Sequence, residues 1–213
     1  MSTIELTQKF SKKKIFVILF SMLIISLGLK LYTVDFSIPS HLDDMSFTLR
    51  ALQYAQGDFF IDQKSNPGWP LFLSPFSLII DSDNFSDYTN LARILSLAIC
   101  AITIFPMYVL ARKFFTEKYA IAAASLFAFE PHLNFISGTA MGEPLLILVL
   151  ISSMIFILND KAKYHFVGFV LAGFCWWIKL EAFYGMLAII LIYLVIHRSN
   201  SNSFRNFSLC LLF

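Results

Sequence analysis

The sequence predicts an all-α fold: a polytopic transmembrane helix bundle of about seven segments, the last incomplete, with amphipathic juxtamembrane helices in its first outer loop. Three observations predict it. Of 213 residues, 58% are hydrophobic, well above the roughly 45–50% apolar content of soluble domains, and the mean hydropathy is +0.72. Charged residues make up only 14% of the chain and cluster between long uncharged runs. The positive charges also divide unequally between alternate loops, as membrane topology requires.

The elements follow in order. Residues 15–34 supply the roughly 20 apolar residues of a first span, and Lys30 lies near enough to its end to snorkel outward. Lys12, Lys13 and Lys14 ahead of it imitate a signal peptide. No A-x-A cleavage site follows and further apolar segments do, so the helix is expected to be uncleaved. Residues 35–88 form the one long loop. Loops beyond about 12–15 residues are usually functional or disordered, and the Phe, Leu and Trp content here argues against disorder. Within the stretch "HLDDMSFTLRALQYAQGDFF" (41–60), Met45, Leu49 and Leu52 fall at i, i+4 and i+7. The spacing predicts a helix over 44–56, stopped by Gly57, with that stripe on its buried face and its axis along the bilayer surface. In "NPGWPLFLSPFSLII" (66–80), Pro67, Pro70 and Pro75 break any long helix, and the segment is too short to cross.

Five more spans are expected. Residues 94–111 run between Arg93 and Arg112, and 119–136 contain one charge, Glu130. Residues 144–158 open on Pro144, suited to a first helical turn. Residues 164–178 and Ala182–Ile196 are short, and 206–213 begin a seventh span that cannot end there. With the N-terminus cytoplasmic, 11 of the 16 Lys and Arg residues fall inside, and only Lys30, Arg50, Lys64, Arg93 and Lys179 fall outside; the positive-inside rule favours this orientation over its inverse. Cys100, Cys175 and Cys210 all lie in apolar runs and read as small buried hydrophobes rather than disulfides or metal ligands.

Most acids fall on the outer face, and these carry the chemistry. Asp43 and Asp44 stand at the start of the surface helix, where the dipole favours ionised carboxylates and can also attract a phosphate. They serve equally as caps or as a catalytic pair. Glu143 precedes Pro144 in the next outer loop and has the same two readings: a dipole-favoured acid, or a site group facing Asp43 and Asp44 across a metal ion or substrate. Glu130 lies inside a span, where a charge is a functional hypothesis by default; Arg93 or Lys179 would be its ion-pair partner, with His132 beside it a satisfied polar residue or a ligand. Trp69, Trp176, Trp177 and Tyr184 sit near outer boundaries, as an interface belt or as sugar-stacking groups. Arg50 and Lys64 are either solvated charges or phosphate ligands.

The order of these motifs resembles the GT-C membrane glycosyltransferases, and within them the dolichyl-phosphate-mannose protein mannosyltransferase type. The acidic pair after the first span, the helix ending in "GDFF" and the following "NPGWPL" resemble that family's first outer loop. "ARILSLAICAITIFPMYVLARKFF" and "EKYAIAAASLFAFEP" resemble its next helical hairpin, "GEPLLILVL" its second acidic motif, and "LAGFCWWIKLEAF" a later helix with a basic residue at its outer end. The resemblance covers about residues 14–198. It implies that Asp43 is the catalytic base, with Asp44 the second catalytic acid. Glu143 would order the site or, with Asp44, hold a divalent cation, so the cofactor is either none or such an ion. Arg50 and Lys64 would bind the donor phosphate and Trp69 the substrate. Two departures stand out: Asp44 replaces a common Glu, and no basic residue precedes Glu143. Family members also run on for several more helices, so the chain is expected to be a truncated N-terminal transmembrane module spanning 1–213.

The implied reaction is inverting transfer of one sugar from a polyprenyl-phosphate donor to a protein, lipid or glycan acceptor at the outer membrane face. The implied partners are that lipid-linked sugar, the acceptor and the bilayer, with no nucleic acid. No Rossmann fingerprint or Walker loop appears, which suits a donor that is not a nucleotide sugar. Two other classes compete. A transporter or channel would use the outer acids for cations, although the charges avoid the midplane and no inverted repeat is visible. A non-catalytic membrane scaffold is the other.

Overall fold

The computed structural model describes residues 11–59, 66–80 and 82–196. These residues form ten helices and no strand. The first is α1, Lys12–Thr33, about 33 Å long at 1.5 Å per residue and able to cross a bilayer core of about 30 Å. Its outward side carries Phe16, Val17, Phe20, Ile24 and Ile25, all exposed, while Leu19, Ser26 and Lys30 turn into the bundle. Lys30 therefore does not snorkel. It is 1% exposed and its ammonium donates to Asn134, because an internal acceptor sits at its level.

The loop after α1 contains α2 (Leu42–Ala55) and α3 (Gly68–Ser77). A Schellman motif ends α2, with Gly57 N–H bonded to Tyr54 O at 3.0 Å and Asp58 N–H to Gln53 O at 3.0 Å. Gly57 takes the left-handed φ of 84° that this motif requires. The expected helix is present, but its expected buried face is not. Asp44, Thr48, Ala51 and Tyr54 face the protein, while Leu49 is 51% exposed. The small and polar stripe packs on α3 and on the next helix. Of the expected stripe, Leu49 faces away from the protein while Met45 and Leu52 are half-buried at the edge of the contact. The proline-rich stretch folds as α3, ten residues or about 15 Å long. It docks closely on the end of a later helix: a Cβ on Gly68 would lie 2.7 Å from Trp177 O.

The second long stretch comprises α4 (Phe85–Ile102) and α5 (Ile104–Phe114), 30 residues in all with an apolar middle. It starts nine residues earlier than expected because Asn84 caps it, its side chain accepting from Ser86 N–H at 3.1 Å. The next apolar stretch, expected as one span, is broken into α6 (Glu117–Phe129) and α7 (Pro131–Ser137). Glu130 is the N-cap of α7 and accepts from Leu133 N–H at 2.5 Å. Neither expected cation pairs with it. Arg93 and Lys179 are engaged elsewhere, and a cap followed by proline at the first helical position explains the acid inside the run.

The remaining helices are α8 (Glu143–Ile157), α9 (Ala162–Ile178) and α10 (Ala182–Ile196). Short connections make these three helices successively antiparallel. Lys113 donates to Leu158 O at one end of the bundle, and Trp69 to Ala140 O at the other. Ser153 Oγ donates to Gly168 O at 2.7 Å, so α8 and α9 meet with little between them, as small residues allow in membranes. Among the described residues, two helical stretches are long and apolar enough to cross a bilayer, Lys12–Thr33 and Phe85–Phe114, while α8 and α10 are apolar but shorter. At 15 residues, about 22 Å, each falls short of a full hydrocarbon core. Cys100 and Cys175 are buried free thiols. The expected seventh segment, with Cys210, lies outside the described residues.

Candidate active site

One end of the bundle holds a cavity of about 330 Å³ lined by Asp43, Phe47, Trp69, Met141, Gly142, Glu143, Ile178 and Lys179. Four separate stretches build it, and each has a local reason for its position.

Asp43 arrives on α2. The helix begins after His41, which makes no side-chain cap, so Asp43 is its second residue rather than its cap. It remains exposed in the first turn of the helix. The segment leading to it is anchored by Arg93. The guanidinium donates to Ile38 O at 3.0 Å and Asp35 O at 3.3 Å, and Asn90 donates to Phe36 O at 3.2 Å. Arg93 thus fixes the backbone between α1 and α2.

Asp44, one residue later, points the other way. It is 1% exposed, neither carboxylate oxygen has a hydrogen-bond partner, and it does not line the cavity. Burial raises its pKa above the ordinary carboxylate value, opposed at longer range by the backbone of Ala140 and His41 and by the charges of Arg93 and His41. The acidic pair is therefore split by the helix into one solvent-facing carboxylate and one dry one.

Glu143 is the first residue of α8. The preceding loop is pressed against Trp69: a Cβ on Gly142 would lie 2.9 Å from Trp69 Cβ and 3.3 Å from Ile178 Cγ2, so only glycine fits. Trp69 is 1% exposed, donates Nε1–H to Ala140 O at 2.6 Å and stacks on Phe72 at 5.6 Å. It is a structural wall of the cavity and no part of an interface belt. Trp176, Trp177 and Tyr184 are exposed.

Lys179 closes the site. It caps the C-terminus of α9 and its Nζ lies 2.7 Å from Glu143 Oε1. The hydrogen bond to Glu143 raises the Lys179 pKa, outweighing partial burial. Both charges suit their helix ends, the acid at an N-terminus and the base at a C-terminus. The sequence reading missed this pair by assigning Lys179 to Glu130. The signal was present: two short antiparallel helices joined by a short turn bring the head of one to the tail of the next.

Of the two expected phosphate ligands, one is placed away from this cavity and the other is not described. Arg50 is buried two turns beyond Asp43 on the same helix face, about 10 Å along the axis, and does not line it. Lys64 lies outside the described residues. A cation shared by Asp44 and Glu143 does not fit the geometry either. Asp44 is shut away and Glu143 is already bound to an ammonium, and no group of three His, Cys, Asp or Glu side chains among the described residues could hold a metal. Chemically, the cavity offers one unpaired carboxylate, one ammonium held by a second carboxylate, and an apolar wall.

The family model for dolichyl-phosphate-mannose-protein mannosyltransferase matches residues 66–213, more than half of the chain. The match includes Trp69, Glu143 and Lys179, while Asp43, Asp44 and Arg50 precede it. No curated protein and no solved structure matches the chain.

Proposed function

The chain belongs to the dolichyl-phosphate-mannose-protein mannosyltransferase family, and on that premise we propose that its outer-face cavity transfers one sugar from a polyprenyl-phosphate donor to an acceptor hydroxyl. The family is glycosyltransferase-like and membrane-integral, and the two long apolar helices suit it. The observation that carries the reading is the meeting of Asp43 with Lys179 and Glu143 in one cavity, although 136 positions separate Asp43 from Lys179.

In this reaction Asp43 accepts the proton of the acceptor hydroxyl. The freed oxygen attacks the anomeric carbon, the bond from that carbon to the lipid phosphate breaks, and its electron pair leaves on the phosphate oxygen. Attack from the face opposite the phosphate inverts the anomeric centre. Asp43 is exposed and lines the cavity, where an acceptor hydroxyl can reach it, as general-base chemistry requires. Lys179 spends one of its three N–H donors on Glu143 and turns the others to the cavity, where they face the developing negative charge of the leaving phosphate. Trp69 and Phe47 hold apolar faces against sugar or lipid. Placing reactants in one geometry supplies much of the remaining acceleration.

The test uses membranes containing the full chain, a labelled polyprenyl-phosphate sugar and a hydroxyl acceptor. The expected product carries the sugar with inverted anomeric configuration. Retention of configuration, or transfer equal to that of membranes lacking the protein, would contradict the proposal.

A further inference from the structure

We propose that the Lys179 ammonium stands where a divalent cation would otherwise sit, so that the cavity works without a bound metal. The inference rests on the transfer reading above for its catalytic half and on geometry alone for its binding half. A hard cation on Glu143 would lie about 2.0–2.6 Å from a carboxylate oxygen. Lys179 Nζ already lies 2.7 Å from Glu143 Oε1, at nearly the same point in space. A dication arriving beside it would meet a like charge at contact distance, and would find Asp43 as the other acid of the cavity, since Asp44 faces away from it.

The ammonium is also built into the fold rather than draped over it. Glu143 sits at the N-terminus of α8 and Lys179 at the C-terminus of α9, so both helix dipoles stabilise the pair in place. Gly142 packed on Trp69 fixes the backbone that carries Glu143. The Lys179 side chain is nonetheless 41% exposed, which leaves its other donors free to reach the leaving phosphate oxygen. Glu143 is then a positioning residue: it aims the ammonium and does not touch the reacting atoms. A cation that arrives with the fold needs no loading, and transfer depends on no metal concentration.

Two measurements decide it. In EDTA-washed membranes, wild-type transfer should be unchanged and adding Mn²⁺ should not increase it. Loss of transfer on chelation, restored by Mn²⁺, would overturn the proposal. Lys179→Met should lower transfer about 10²–10³-fold, the cost of removing one preorganised electrostatic group, with Lys179→Arg recovering part of it in metal-free buffer. Independently of transfer, Mn²⁺ added to the purified wild-type protein should remain free by electron paramagnetic resonance. Bound Mn²⁺ that Glu143→Gln releases would overturn the proposal, even in a protein that transfers nothing. The binding result therefore stands apart from the fate of the transferase reading.

Discussion

Gly142→Ala tests the packing that holds the cavity together. The added Cβ would lie 2.9 Å from Trp69 Cβ, 3.1 Å from Trp69 Cγ and 3.3 Å from Ile178 Cγ2. None of these atoms is the loose end of a long side chain. The indole is buried, bonded to Ala140 O and stacked on Phe72. Gly142 has a φ of −83°, which alanine adopts freely, so the effect is steric and not a matter of backbone strain. Overpacking of this kind costs about 1–3 kcal/mol. At about 2–4 °C per kcal/mol for a chain of this size, the midpoint of unfolding should fall by roughly 2–12 °C. Gly173, within α9, is the control: no atom lies within 4 Å of its Cβ position. Alanine there should gain about 0.5–1 kcal/mol of helix preference. Thermal unfolding followed by tryptophan fluorescence in detergent separates the two. A Gly142→Ala protein that melts at or above the wild type, or no lower than Gly173→Ala, would refute the reasoning.

Three further predictions concern the residues around the site. Burial raises the Asp44 pKa, so the folded state binds that proton more tightly than the unfolded chain. Asp44 therefore favours the fold most at low pH, and stability falls as pH rises from the ordinary carboxylate value, about 3.9, to its raised one. Asp44→Asn should flatten that slope and leave stability at pH 7 equal or higher; a less stable variant with an unchanged slope would contradict this. Trp69→Phe strips the donor from the buried Ala140 carbonyl and should cost about 1–3 kcal/mol in chemical unfolding, whereas an unchanged midpoint would show that water replaces the bond. Glu143 raises the Lys179 pKa, so what the pair adds to stability is present below the ordinary lysine value and is lost only as pH rises through the raised one. The side chain is 41% exposed, so Lys179→Met should change stability by only about 0–1 kcal/mol after solvent screening while depressing transfer. Parallel loss of fold and transfer would make the pair merely structural.

The helices were readable where one physical rule decides them. Uninterrupted apolar length gave α1 and the cores of α8 and α10, and Gly57 marked the end of α2. The errors arose where sequence pattern has two outlets. An apolar stripe on a surface helix can face protein or lipid, and periodicity does not choose. Met45, Leu49 and Leu52 therefore gave the right helix, but Leu49 is exposed and the other two are only half-buried. Lys30 near a helix end reads as a snorkelling residue until Asn134, over 100 residues away, offers an acceptor. The break at Glu130–Pro131 was legible as a cap and a first-turn proline, but the length of the apolar run concealed it. At the site, matching outer loops brought Asp43 and Glu143 to one face on paper, and both line the cavity. Asp44 could not be distinguished from Asp43 by type or position; the rotation of one residue along a helix, about 100°, sends it to the other side.

The most direct measurement is the transfer rate of Asp43→Asn beside the wild type, in membranes with matched protein levels. The amide keeps the size and a hydrogen-bonding oxygen but accepts no proton from the acceptor hydroxyl. If Asp43 is the base, transfer should fall about 10²–10⁴-fold while the melting temperature stays close to that of the wild type. Undiminished transfer by Asp43→Asn would remove the base from the cavity and contradict the account.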